Sequence, residues 1–191
     1  MGNTFFYGAS ECKIALYDEQ EKSYGTPWEE EFIKQLGIEA GSSNSNKYYG
    51  SNKVIFQDNG SSGKQLTLQM SAFSTKYKTD VLGQQKVGGI TIEGPDDTPA
   101  FFALGVKLEG NAGGMKVWFL MCKSSVPTYT AATNTDSPTE DTMSAALEAS
   151  PCVYKLNNTD YKATVITCER GDADYDTFLD AVPTTTVVSG G

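Results

Sequence analysis

Lys64-Gln65-Leu66-Thr67-Leu68-Gln69-Met70 alternates without a break, with Leu66, Leu68 and Met70 on one side and Gln65, Thr67 and Gln69 on the other. A period of two is the signature of a strand that buries one face and wets the other. The same alternation recurs upstream at Cys12-Ile14-Leu16 and downstream at Phe102-Leu104-Val106-Leu108, at Val117-Phe119-Met121, and at Ala163-Val165 set against Thr164 and Ile166. Strong turn signals separate these runs: Asp58 to Gly63, Glu109 to Gly114, and Leu156 to Asp160. Several short strands joined by such turns predict a mainly β chain, an antiparallel β-sandwich or barrel.

Two short helices are expected beside the sheet. From Ser74 to Gly83, Ser74 can cap, Phe73, Tyr77 and Val81 recur at a spacing of four, and Gly83 suits the first position past the end. Near the C-terminus, Asp172 or Asp174 can cap a stretch in which Tyr175, Phe178, Leu179 and Val182 share a face before Pro183. Two segments read both ways. Thr26-Pro27-Trp28-Glu29 has the form of a helix start, with Trp28, Phe32 and Leu36 at helical spacing, yet Leu36, Ile38 and Ala40 alternate. Thr142 to Ala149 contains good helix formers, yet Met143, Ala145, Leu147 and Ala149 fall on one side of a strand. Local propensity leans weakly to helix in both. Extended loops are expected at about 37–53, where Gly, Ser and Asn cluster, and at about 127–142, rich in Thr, Ser, Pro and Asp, within a single domain spanning 1–191.

Composition excludes whole classes of chemistry. The chain has no histidine, and Arg170 is its only arginine. Histidine is the usual general base near neutral pH and the commonest metal ligand. Arginine is the usual two-pronged clamp for phosphate and guanine. A formal charge of −9 leaves no basic surface to neutralise a nucleic acid, although an acidic wall keeps a polyanion from sticking. The four cysteines, Cys12, Cys122, Cys152 and Cys168, form no C-x-x-C pair and read as free thiols, Cys12 and Cys122 as buried ones. The first residues show no basic and apolar secretory pattern, and no apolar run approaches the ~20 residues of a membrane span. These features predict a protein folded in a reducing cytoplasm.

The remaining motifs have plain readings. Gly60-Ser61-Ser62-Gly63-Lys64 lacks the first glycine and the final Ser or Thr of a phosphate loop, so a hairpin turn accounts for it. Asp172, Asp174 and Asp176 lack the glycine and terminal glutamate of a calcium loop and read as caps. No serine sits in a G-x-S-x-G elbow, and without histidine a cysteine nucleophile has no usual base. A glycosidase needs facing carboxylates, which spacing does not reveal. Trp28, Tyr48, Tyr49 and Trp118 could stack on sugar, Trp118 least well because it lies mid-strand.

Taken in order, the pieces resemble the major tail proteins, the tail-tube subunits of long-tailed phages with non-contractile tails, of the phi-thirteen type. The likeness rests on Cys12-Lys13-Ile14-Ala15-Leu16-Tyr17 followed by Tyr24-Gly25-Thr26-Pro27, on Lys47-Tyr48-Tyr49-Gly50-Ser51-Asn52, and on Asp80-Val81-Leu82-Gly83. It continues through Pro99 to Gly105 and Trp118 to Lys123, and closes with Tyr175 to Val182. Gly50-Ser51 stands where the family commonly has Ala-Asp. The resemblance implies that both ambiguous segments are strands. It implies a tail-tube fold with a flanking helix, assembled into stacked, hexameric rings through Trp28, Phe32, Lys47, Tyr48, Tyr49 and Asn52, and no enzymatic activity. Phe73, Tyr77, Val81, Tyr175, Phe178 and Leu179 would pack the helices. Implied partners are further copies of the chain, tape-measure and tail-terminator proteins, and viral DNA sliding through the lumen, with no cofactor, metal or membrane. Six copies at −9 would give such a ring about −54 in total, an acidic bore. The implied location is the virion tail, after synthesis in the bacterial cytoplasm. The inner tube of a contractile tail or bacteriocin, and a sugar-binding β-sandwich, are the alternatives.

Overall fold

The computed structural model describes residues 6–41, 46–50, 53–58, 63–110, 113–129, 141–156 and 158–183. In chain order the strands begin with β1 (Phe6–Asp18), β2 (Ser23–Tyr24), β3 (Trp28–Glu29), β4 (Ile33–Ala40), β5 (Asn46–Gly50), β6 (Lys53–Asp58) and β7 (Lys64–Met70). A π-helical turn at Tyr77–Val81 follows, then β8 (Gln85–Val87), β9 (Ile90–Ile92), β10 (Phe102–Gly110), β11 (Met115–Ser124) and β12 (Thr128–Tyr129). The last four are β13 (Met143–Ala149), β14 (Cys152–Leu156), β15 (Thr159–Ala163) and β16 (Val165–Glu169). The protein is mainly β and its ladders are antiparallel.

The principal sheet runs β2-β1-β10-β11-β13-β7-β4, with β3 on β1, β16 on β11 and β12 on β13 as side branches. Strand β4, at one end, also lies close to β1 near the other, so the sheet curls on itself. The alternation read from the sequence decides what the curl encloses. Ile14, Leu66, Leu68, Met70, Phe102, Leu104 and Phe119 form the inner cluster, all fully buried. Phe73, Tyr77, Val81 and Leu82 pack against them from the π-helical turn. The opposite face of β1, β10 and β11 carries Ala15, Ala103, Trp118 and Leu120, the base of a second cluster covered by Tyr154, Cys168, Phe178, Leu179 and Val182. Both ambiguous segments are strands, β3–β4 and β13, because each lies against a sheet margin that it can complete. Tertiary pairing outweighs a few tenths of a kcal/mol per residue of helix propensity.

Several expectations need correction. The alternation Val117-Phe119-Met121 fails at its third member. Met121 has φ +47° and the β10–β11 register slips there, a bulge that rotates Met121 out and turns Cys122 into the inner cluster. The predicted C-terminal helix is absent: residues 172–182 form successive tight turns, with Tyr175 N–H donating to Asp172 O and Asp180 N–H to Thr177 O. Carbonyls that a helix would use internally are taken elsewhere, Asp176 O by Lys116 Nζ at 3.0 Å and Phe178 O by Trp118 Nε1 at 2.9 Å. The apolar face foreseen for that helix is nevertheless buried at Phe178 and Leu179, with Tyr175 partly buried beside them. At Ser74–Gly83 the cap and the stop hold, since Ser74 Oγ accepts from Tyr77 N–H at 3.0 Å and Gly83 has φ +76°. The turn between them widens to π, Leu82 N–H reaching Tyr77 O. Within the stretch expected to be loop at about 37–53, residues 37–40 finish β4 and residues 46–50 pair with β6 as a hairpin. Most of the second expected loop, 130–140, lies outside the described residues, as do Gly60, Ser61 and Ser62 of the phosphate-loop look-alike.

All four cysteines are free. Burial pushes the Cys122 thiol up to about 12 and the Cys12 thiol higher still, so both remain protonated and inert at neutral pH.

Gly105 stands directly across from Trp118, and a Cβ there would meet the indole ring at 2.7 Å. Gly105→Val is expected to destabilise the fold by about 1–3 kcal/mol through overpacking, read as a lower urea midpoint. On the β1–β10 ladder, Glu109 accepts from Ser10 Oγ at 2.6 Å and lies 3.1 Å from Lys107 Nζ. The Ser10 hydrogen bond, then the Lys107 ammonium, holds its carboxyl below the usual range. Because the folded pKa is the lower one, this stabilisation is complete above about pH 4.3 and is lost as pH falls through the folded value. Glu109→Gln should therefore flatten the acid limb of the Tm–pH curve below about pH 4.3.

Candidate assembly surface

Edge strands expose a row of backbone donors and acceptors that can take a further strand. Among the described residues, β16 pairs only with β11, β4 only with β7, and β15 only with β14. Apolar side chains cluster on the projecting hairpins. Val153 of β14 is 74% exposed and Tyr161 of β15 is 51% exposed. On β8–β9, Val87 pairs across from Ile90 and Gln85 from Ile92, so Val87, Ile90 and Ile92 share one face, all three exposed. The loop of that hairpin is Gly88-Gly89, and Gly88 at φ +61° supplies the positive φ that a two-residue connection demands.

A cleft of about 590 Å³ opens on the other side of the sheet, between β14, β16 and the C-terminal turns. Tyr154, Leu156, Ile166 and Phe178 line it, together with the exposed carboxylates of Asp172 and Asp174. Asp172 also accepts from Glu169 N–H at 3.0 Å, a contact to a preceding residue in place of the helix cap expected of it. Among the described residues no group of three histidine, cysteine or acidic side chains is placed to hold a metal. No helix there is long and apolar enough to cross a membrane.

The structure separates the residues proposed for subunit contact. Phe32 is 68% exposed with φ +67°, a conformation rare for a bulky residue, at the entry to β4. Trp28 is half-buried: Lys76 Nζ lies 4.5 Å from its ring centroid, and its indole N–H donates to Glu30 Oε2 at 3.2 Å. Lys47, Tyr48 and Tyr49 belong to β5 by their backbone, their side chains being outside the described set, and Asn52 lies outside the described residues altogether. Trp118 is removed as a sugar platform, being fully buried in the second cluster.

Sequence reading missed Glu30, which lies in the acidic run Glu29-Glu30-Glu31. It is buried, whereas its neighbours are exposed. Its carboxylate accepts from Ser74 N–H at 2.6 Å and Ser74 Oγ at 2.8 Å, besides the Trp28 indole. Its own N–H donates to Cys12 O at 2.8 Å. Glu30 thereby ties β3 to the start of the π-helical turn, and its oxygens are committed to structure. A carboxylate just before an apolar strand, 44 residues from a helix-capping serine, carries no local signal of this role.

No protein-family model and no curated protein sequence matches the chain. Partial structural likeness is found to the sheath-tube complex, in its extended state, of an extracellular contractile injection system termed PVC. There the TM-score is 0.41 with 13% identity, covering 83% of this chain and 88% of that one. A chain of the anti-feeding prophage (AFP) baseplate overlaps with a TM-score of 0.40 and 7% identity, over 83% and 92% of the two chains. Hcp1 from Flavobacterium johnsoniae overlaps with a TM-score of 0.36 and 8% identity, over 81% and 100%.

Glu30→Ala would leave three part-buried donors, from Ser74 and Trp28, without their acceptor. It is expected to cost roughly 1.5–3 kcal/mol, the range for hydrogen bonds to a charged group, measured by chemical unfolding.

Proposed function

We propose that this chain is a structural subunit of a phage-like tail tube, which joins copies of itself into stacked rings around a hollow axis. The observation that carries the reading is the set of margins left without a strand partner among the described residues, on β15 and β16, together with apolar side chains left exposed on the β8–β9 and β14–β15 hairpins. Such surfaces are completed by another copy more readily than by a small ligand. The ordered sequence likeness to tail-tube subunits, which runs from about residue 12 to 182, supports the same reading. So does the charge: copies at −9 arranged around a bore would let DNA pass without adhesion. The subunit does no chemistry of its own and needs no cofactor. Its partners are further copies, tape-measure and tail-terminator proteins, and DNA in transit, and its place is the tail of the particle.

The finer assignment is to a non-contractile tail with hexameric rings, resting on the sequence likeness alone. The inner tube of a contractile tail would present the same ring-forming surfaces and differ in needing an outer sheath. Sugar binding loses ground because Trp118 is buried and the Trp28 ring is occupied by Lys76.

Concentrated protein is expected to form rings or short tubes under negative-stain electron microscopy, with a matching shift to high sedimentation coefficients. A strict monomer at every concentration, paired with a positive glycan array, would overturn the assignment.

A further inference from the structure

We propose that the β8–β9 hairpin of one copy inserts its tip into the cleft between β14, β16 and the C-terminal turns of the next. This deepens the tube reading and rests on it, by naming which two surfaces of the chain meet.

Three observations converge. The hairpin carries a face made of Val87, Ile90 and Ile92, exposed by 62%, 68% and 47%, so nothing among the described residues covers it. Gly88 and Gly89 at the tip have open space around the position of an added Cβ, with no described atom within 4 Å. The cleft offers the complementary chemistry: apolar side chains from Tyr154, Leu156, Ile166 and Phe178, and carboxylates from Asp172 and Asp174.

Charge favours a copy of this chain as the occupant. From Gln85 to Ile92 the hairpin has one charge, Lys86, on the face opposite the valine and isoleucines; the acid at its base, Glu93, accepts from Gln84 Nε2 at 2.8 Å. A tip with one apolar and one cationic face suits a cleft that is apolar within and bears two carboxylates. Size agrees as well, since about 590 Å³ lies within the ~300–1,000 Å³ of pockets that enclose a ligand, enough for a tip but not for a whole domain.

Position then dictates the symmetry. The hairpin follows directly from the π-helical turn, which packs on the inner cluster, whereas the cleft overlies the second cluster across the sheet. A contact between two different surfaces of one chain is heterologous, so it repeats from copy to copy and yields rings or stacks rather than a closed pair.

The test joins a covalent trap to charge exchange. Under mild oxidation the double variant Gly89→Cys with Ala181→Cys should give a ladder of dimers, trimers and larger products, while each single variant should not. Ile90→Asp with Ile92→Asp should raise the concentration needed for assembly at least tenfold while leaving the circular dichroism spectrum intact. Lys86→Glu should weaken assembly, and adding Asp174→Lys should restore it. Rings without a ladder, and with the aspartate variant assembling as the parent does, would overturn the hairpin contact while leaving the tube reading in place. A ladder without rings or tubes would keep the contact and overturn the tube reading. Monomers with no ladder would remove both.

Discussion

The bulge at Met121 is the constraint on which the two-sided construction depends. Strand β11 is paired along one side by β10, and its other side is shared between two strands: Met115 to Phe119 bind β16, and Cys122 to Ser124 bind β13. The positive φ of Met121 breaks the pleat between them. The freed Met121 N–H is taken by the Tyr24 hydroxyl at 3.2 Å, and its carbonyl accepts from Ser150 N–H. Backbone groups lost to the ladder are thus satisfied by neighbouring elements, as buried polar groups must be. The split lets the sheet curl around the inner cluster while β16 branches away to hold the second.

Each cluster is then closed by a segment tied down with polar contacts. Over the inner cluster, Glu30 fixes the start of the π-helical turn and Tyr77 donates to Ser124 Oγ at 2.7 Å. Over the second, Lys116, Trp118 and Tyr175 bind the C-terminal turns to β11 and the β10–β11 connection, and Tyr154 donates to Pro183 O. Neither segment has enough regular hydrogen bonding to be stable alone. Both are ordered by apolar burial and held in register by a few buried donors. A scaffold built this way leaves Val87, Ile90 and Ile92 of β8–β9 and Val153 and Tyr161 of β14–β15 exposed, where they are available to other copies.

Most of the sheet was legible before any coordinates, because alternation reports the face of each strand directly. Leu66, Leu68 and Met70 and the Phe102 to Leu108 series bury as their spacing demands. Cys12 and Ile14 do so as well, although β1 slips register just before them, at Ser10–Lys13. Phe73, Tyr77 and Val81 are buried from the π-helical turn, whereas Phe178 and Leu179 are buried, and Tyr175 partly so, from turns and not from the helix expected there. The candidate surface was less legible. Of the six residues proposed for subunit contact, only Trp28 and Phe32 have described side chains, one half-covered by Lys76 and the other exposed. Val87, Ile90 and Ile92 carry no local signal, because three apolar residues around a glycine pair look like any small hairpin until their exposure among the described residues is seen.

The sequence by itself determined the class of the protein: period-two patterning demands a sheet, and a chain without histidine and with one arginine lacks the usual side chains of acid–base and nucleic-acid chemistry. Only the tertiary structure decided where the alternation breaks and whether the C-terminal face sits on a helix or on turns. Those outcomes depend on partners distant in sequence. Trp118 and Lys116 claim the carbonyls of Phe178 and Asp176 across a separation of 60 residues, and no local pattern encodes a competition of that range.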